Sequence, residues 1–123
     1  MSTKALALII EDNEDQNLVF TTALAQAGFV TESIFDGTTA MQRLANVVPA
    51  LVILDLHVPG MSGGLLLREI RNDPRTARVH VIIVSADAEF AANLQAQVDL
   101  VLLKPVSFLQ LSMLASRFIN ESS

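Results

Sequence analysis

Leu51-Val52-Ile53-Leu54-Asp55-Leu56-His57-Val58-Pro59-Gly60-Met61-Ser62-Gly63 is the stretch on which the reading of the fold turns. From Ala50 to Leu54 no residue is polar. A run of this length with no alternation reads as a strand covered on both faces, the usual state of a strand in a parallel sheet. The run stops at an acid, Asp55. Pro59-Gly60 then marks a loop, and Ser62 is placed to cap a helix carrying Leu66, Leu67 and Ile70 at helical spacing. Strand, acidic strand end, loop and helix together make one βα unit.

The same unit recurs on either side. Further apolar runs span Ala5–Ile10, Phe29–Phe35, Val79–Val84 and Asp99–Leu103. The first and fourth are apolar almost throughout. The second alternates (Val30, Thr31, Glu32, Ser33, Ile34) and is placed at a sheet edge. Leu18, Thr21, Thr22 and Ala25 supply a helical period after the first run, with Asn13 or Asp12 as cap and Gly28 as stop. Ala40, Leu44 and Val47 do so after the second, and a fourth helix is expected around Glu89 to Gln97. Gly37 and Asp73-Pro74 punctuate further loops. Five βα units predict an α/β protein, a doubly wound three-layer sandwich with helices on both faces of a parallel five-stranded sheet.

Composition narrows the function. The chain has 123 residues, one ordinary domain's worth, and is 51% hydrophobic, which excludes a disordered chain. With no cysteine there is no disulfide framework and no thiolate metal site. The apolar runs are too short to span a bilayer, so no membrane role is expected. Met1-Ser2-Thr3-Lys4 leads straight into the first run without the pattern of a secretory signal. A net charge of −5 argues against direct binding of nucleic acid.

In open parallel sheets ligands bind beyond the carboxyl ends of the strands. There the runs end in Glu11-Asp12, Asp55, Ser85 and Lys104-Pro105. Singly, each has an ordinary explanation as a cap, a turn residue or a surface charge. Together they place three carboxylates, a hydroxyl and an ammonium in one crevice. Crowded carboxylates suit a hard divalent cation, Mg2+ in preference to Ca2+ where few protein ligands leave room for water and a phosphoryl oxygen. Lysine suits a phosphoryl oxygen, serine can donate to another, and a carboxylate can act as a nucleophile and form an aspartyl phosphate.

Glu11-Asp12, the stretch Leu51 to Gly63, Ser85-Ala86 and Lys104-Pro105 together resemble the receiver domains of two-component response regulators, over essentially the whole chain. The resemblance implies one receiver domain over residues 1–123, with flavodoxin-like strand order 2-1-3-4-5. It implies Asp55 as phosphoacceptor, and Mg2+ held by Glu11, Asp12, Asp55 and the backbone carbonyl of His57. Ser85 and Lys104 would hold the phosphoryl group, and the Lys104–Pro105 bond would be cis. The expected partner is a histidine kinase or phosphotransfer protein, in a bacterial cytoplasm. No enzyme activity on outside substrates is expected beyond phosphorylation and dephosphorylation of Asp55 itself.

Two departures stand out. Glu11 replaces the aspartate common at the first acidic position. Val101 stands three before Lys104, where many members carry a rotating Tyr or Phe, so a signal is expected to leave through Ser85 and the loop after it, or by another route. His57 and Asp87, two places after Asp55 and Ser85, occupy positions that tune phosphoryl loss in this family. The last helix carries Phe108, Leu109, Leu111, Met113, Leu114, Phe118 and Ile119 on more than one face, with Arg117 and Glu121 the only charges near it. The fourth helix, fifth strand and last helix therefore form an expected surface for a homodimer or an output partner. The alternatives are a degenerate receiver that binds protein without phosphorylation, a small aspartyl-phosphate phosphatase, and a flavin-binding module. The phosphatase lacks a second acid close behind Asp55, and the flavin module lacks Trp and Tyr for stacking.

Overall fold

The computed structural model describes residues 4–119. Met1, Ser2, Thr3 and Glu121, which entered the sequence reading, lie outside the described residues. Five strands alternate with five helices: β1 (Leu6–Ile10), α1 (Glu14–Gln26), β2 (Val30–Ile34), α2 (Gly37–Leu44), β3 (Leu51–Asp55), α3 (Gly63–Asn72), β4 (His80–Ser85), α4 (Ala88–Leu94), β5 (Leu100–Leu103) and α5 (Phe108–Ile119). All pairings are parallel, in the order β2-β1-β3-β4-β5. The expected doubly wound sheet is present, with β2 at an edge.

The three layers follow from the alternation of side chains along each strand. Leu8, Ile10, Val52, Leu54, Val81 and Ile83 face one way and pack with Leu44 of α2, Leu66, Leu67 and Ile70 of α3 and Ala91 of α4. Ala7, Ile9, Leu51, Ile53, Ile82 and Val84 face the other way, against Phe20, Ala23 and Leu24 of α1 and Leu111, Ala115 and Phe118 of α5. β1 and β3 are therefore buried on both faces, which is why β3 reads as an unbroken apolar run.

Caps set the entry of the helices. The side chain of Asn13, not Asp12, accepts from the Gln16 amide at the start of α1, and Ser62 accepts from Leu65 at the start of α3. Gly28 has φ of 110°, a left-handed conformation that ends the turn after α1 at little cost only for glycine. Gly63 permits a close approach of α3 to the loop before it. A Cβ there would lie 2.5 Å from Leu56 Cα.

Three local readings need correction. The buried face of α1 is Asn17, Phe20, Ala23 and Leu24, whereas Leu18 is 66% exposed. Apolar residues lie almost all round this helix, so spacing alone picked the solvent side. α2 stops at Leu44, leaving Val47 in the following loop. The fourth helix begins at Ala88 and ends at Leu94, and Gln95–Gln97 form a 3-10 turn.

Candidate functional site

The register of the sheet assembles the site. Ile10 lies beside Leu54, so the residues that follow, Glu11 and Asp55, are neighbours at the carboxyl ends of the two central strands. Asp55 lies beside Val84, and Ser85 beside Leu103, which brings Ser85 and Lys104 to the same end. The Lys104 amide donates to the Ser85 carbonyl at 2.9 Å and carries the ladder one step past β5. The Lys104–Pro105 peptide is cis.

Lys104 ties the acids together. Its Nζ donates to Glu11 Oε1 at 2.8 Å and to Asp55 Oδ2 at 3.1 Å. Both carboxylates are buried, and Asp12 is exposed beside them. Carboxylate oxygens of Glu11, Asp12 and Asp55 lie within 4.8 Å of one another. The other Asp55 oxygen, Oδ1, accepts from the His57 amide at 3.0 Å. Burial pushes the Glu11 carboxyl up to about 7, against the pull of Lys104, and the neighbouring Asp55 adds to the rise. Burial alone would lower the Lys104 ammonium, but hydrogen bonds to Glu11 and Asp55 outweigh it and leave it raised.

Ser85 is fully buried, and its Oγ accepts from the Asp87 amide at 3.0 Å. Asp87 in turn caps α4 by accepting from the Phe90 amide at 2.9 Å. The His57 side chain meets Asp87 and Phe90. Its Nε2 is 3.6 Å from Asp87 Oδ2, and its ring meets Phe90 edge-on. Val101 lies beside Ile83 and is half-buried against the core, an aliphatic side chain with no ring of its own to rotate.

Sequence reasoning missed Asn17. This buried side chain donates from Nδ2 to the carbonyls of Ile9 and Ile34 at 3.2 Å and of Glu11 at 2.9 Å. It pins the β1–α1 turn that presents Glu11 and Asp12. Its one signal is position: Asn17, Phe20 and Leu24 share a helical face.

The response regulator receiver domain model matches residues 7–115. The chain belongs to the response regulator receiver family. A phosphate regulon transcriptional regulatory protein, PhoB of Rhizobium meliloti, is 33% identical over 102 residues, 80% of this chain and 45% of that protein. The regulator of RpoS from Escherichia coli is 35% identical over 102 residues, 80% of this chain and 30% of that protein. The chain thus spans less than half the length of these two relatives. Among solved structures, a sensor protein from Polaromonas sp. JS666 is 27% identical with a TM-score of 0.84, covering 98% of this chain and 100% of its own. The chemotaxis response regulator CheY4 of Vibrio cholerae, at 20% identity, shares the fold, with a TM-score of 0.85 over 94% of this chain and 99% of its own. Receiver domains bind Mg2+ at an acidic pocket, and Glu11, Asp12 and Asp55 form an acidic cluster here. They are signalling modules that work with histidine kinases and output domains. Among the described residues no helix is long and apolar enough to cross a membrane.

Proposed function

We propose that the chain is a single receiver domain over residues 1–123 that accepts a phosphoryl group on Asp55, in a Mg2+-dependent reaction, from a histidine kinase or phosphotransfer protein in the cytoplasm. The observation that carries this reading is the convergence of the carboxylate oxygens of Glu11, Asp12 and Asp55 within 4.8 Å, with Lys104 bridging two of them. Burial, with a smaller push from Asp55, holds the Glu11 carboxyl up at about 7 despite Lys104, so a further cation beside it would favour its charged form. An all-oxygen donor set of this kind fits a hard divalent cation. Glu11, Asp12, Asp55 and the His57 carbonyl would hold Mg2+, which supplies charge neutralisation for phosphoryl transfer.

In the step itself, an Asp55 carboxylate oxygen attacks phosphorus. A P–O bond forms, the P–N bond of the phosphohistidine breaks, and the imidazole leaves with the bonding pair and takes up a proton. Lys104 exchanges its contact with Asp55 for one with a phosphoryl oxygen, while Glu11 keeps hold of it. Ser85 turns its hydroxyl towards the phosphoryl group and gives up the Asp87 amide. That release disturbs the capping residue of α4. The route from Ser85 through Asp87 to α4 replaces the aromatic switch that Val101 lacks. The His57–Asp87 contact links the two loops over the site and sets how fast water reaches the acyl phosphate.

The readout surface is α4, β5 and α5, where Leu103, Leu109 and Met113 are more than half exposed. A homodimer or an output partner covers it. Incubation with acetyl phosphate and Mg2+, followed by intact mass, tests the acceptor. One phosphoryl group is gained, and none is gained by Asp55→Asn or without Mg2+. Absence of gain together with no binding of beryllofluoride overturns the reading and leaves a degenerate receiver.

A further inference from the structure

At the end of the sheet opposite the acids, a groove of about 620 Å3 opens beside the amino-terminal ends of β1, β3 and β4. It is lined by Lys4, Arg75 and Arg78, three of the eight Lys and Arg of a chain whose net charge is −5. Among the described residues no acidic side chain is in its lining. Arg75 is partly accounted for, since its Nη2 donates to the Leu44 carbonyl at the end of α2 and to Asp73 Oδ2. Lys4 and Arg78 make no hydrogen bond or ion pair among the described residues. Beside these cations lies an apolar wall of Val48, 55% exposed, with the buried Pro49 and Val79.

We propose that this groove docks an acidic peptide segment of a partner protein, one in which carboxylates alternate with aliphatic side chains. Charge complementarity selects the carboxylates, because cations gathered against the sign of the whole chain make a local positive potential. The wall selects the aliphatic residues. A bare inorganic anion would use the cations and leave Val48 wet. A nucleotide would need an aromatic face for its base, and the one aromatic ring of the lining among the described residues, His80, is packed on Phe118 and paired with Asp99. An extended peptide places side chains alternately on two sides, so one face meets the cations and the other the wall. The proposal is independent of the chemistry at Asp55, which lies at the other end of the strands.

The test is a 15N chemical-shift titration of the whole chain with a pool of acetylated, amidated hexapeptides alternating Asp or Glu with Leu or Val. The expected result is saturable shifts confined to residues around Lys4, Val48, Arg75 and Arg78. The apparent Kd weakens about threefold in Lys4→Ala and in Arg78→Ala, and about tenfold in the double variant. Both residues are exposed, so the variants keep their melting temperature. Four outcomes overturn the proposal. They are no shifts with the acidic pool, equal shifts with an Asn and Gln version of it, equal shifts with inorganic phosphate, and shifts at the Asp55 end alone.

Discussion

Replacing Lys104 with methionine removes the one cation that contacts both buried acids and keeps the aliphatic bulk of the side chain. Lys104 Nζ lies 2.8 Å from Glu11 and 3.1 Å from Asp55, and its side chain is 19% exposed. Breaking a buried ion pair from one side costs about 3–5 kcal/mol when the remaining charge has no outlet. Here an outlet exists, because Glu11 with its pKa near 7 can take a proton at neutral pH. The expected loss at pH 7 without metal is therefore about 2 kcal/mol, rising towards about 4 kcal/mol at pH 8.5, where Glu11 of the parent is ionised and its pair with Lys104 is at full strength. For a domain of this size 1 kcal/mol moves the melting temperature by about 4 °C, so the neutral-pH drop is about 8 °C. Differential scanning calorimetry in EDTA measures it. Mg2+ supplies a replacement cation and recovers more stability in Lys104→Met than in the parent. Adding Asp55→Asn to the lysine variant restores part of the loss, because one of the two stranded charges is gone. A variant melting within about 1 °C of the parent at pH 8.5 would refute the reasoning.

Metal-free stability should also fall with rising pH. The Glu11 carboxyl stands at about 7 in the fold against 4.5 as its ordinary value, so between those values the folded chain binds more protons. Its contribution is fully present below about 4.5 and is lost as pH rises through about 7, on the order of 3 kcal/mol in all. Urea midpoints from pH 5 to 8 show the decline, and Glu11→Gln flattens it. Asn17→Ala removes a buried amide whose two protons are shared among three carbonyls at the β1–α1 turn and costs about 2–3 kcal/mol by urea unfolding. Leu18→Ser changes stability by less than about 0.5 kcal/mol, whereas Leu24→Ala costs about 2–5 kcal/mol, and the contrast checks which face of α1 is buried.

Where sequence legibility held, the reason was local. β3 and β4 are sandwiched between helical layers, so their burial is written in every residue and their ends are marked by the first polar one. α1 offered no such contrast. Leu18, Val19, Phe20, Ala23, Leu24 and Ala25 nearly encircle it, and only the positions of β1 and α5 decide which of them are covered. Asn17 was hidden because a polar residue on a core face reads as noise until its three carbonyl partners are placed around it. The four strand-end motifs were visible in sequence, but the contact between Lys104 and Glu11 spans 93 positions and follows only from the register of β1, β3, β4 and β5. The groove at Lys4 and Arg78 had no sequence signature, since its cations come from separate segments.

The order of the strands also sorts the site by stiffness. Glu11 and Asp55 are rooted in β1 and β3, each laced to a neighbour on both sides, while Lys104 hangs from β5, which has one neighbour and only four paired residues. The acids are thus set on an anvil and the lysine on a spring. Force applied at the rim of the sheet can shift the ammonium while the carboxylates stay where they are. A molecule pressing on β5 from outside therefore has mechanical access to the charge balance of the pocket without touching it.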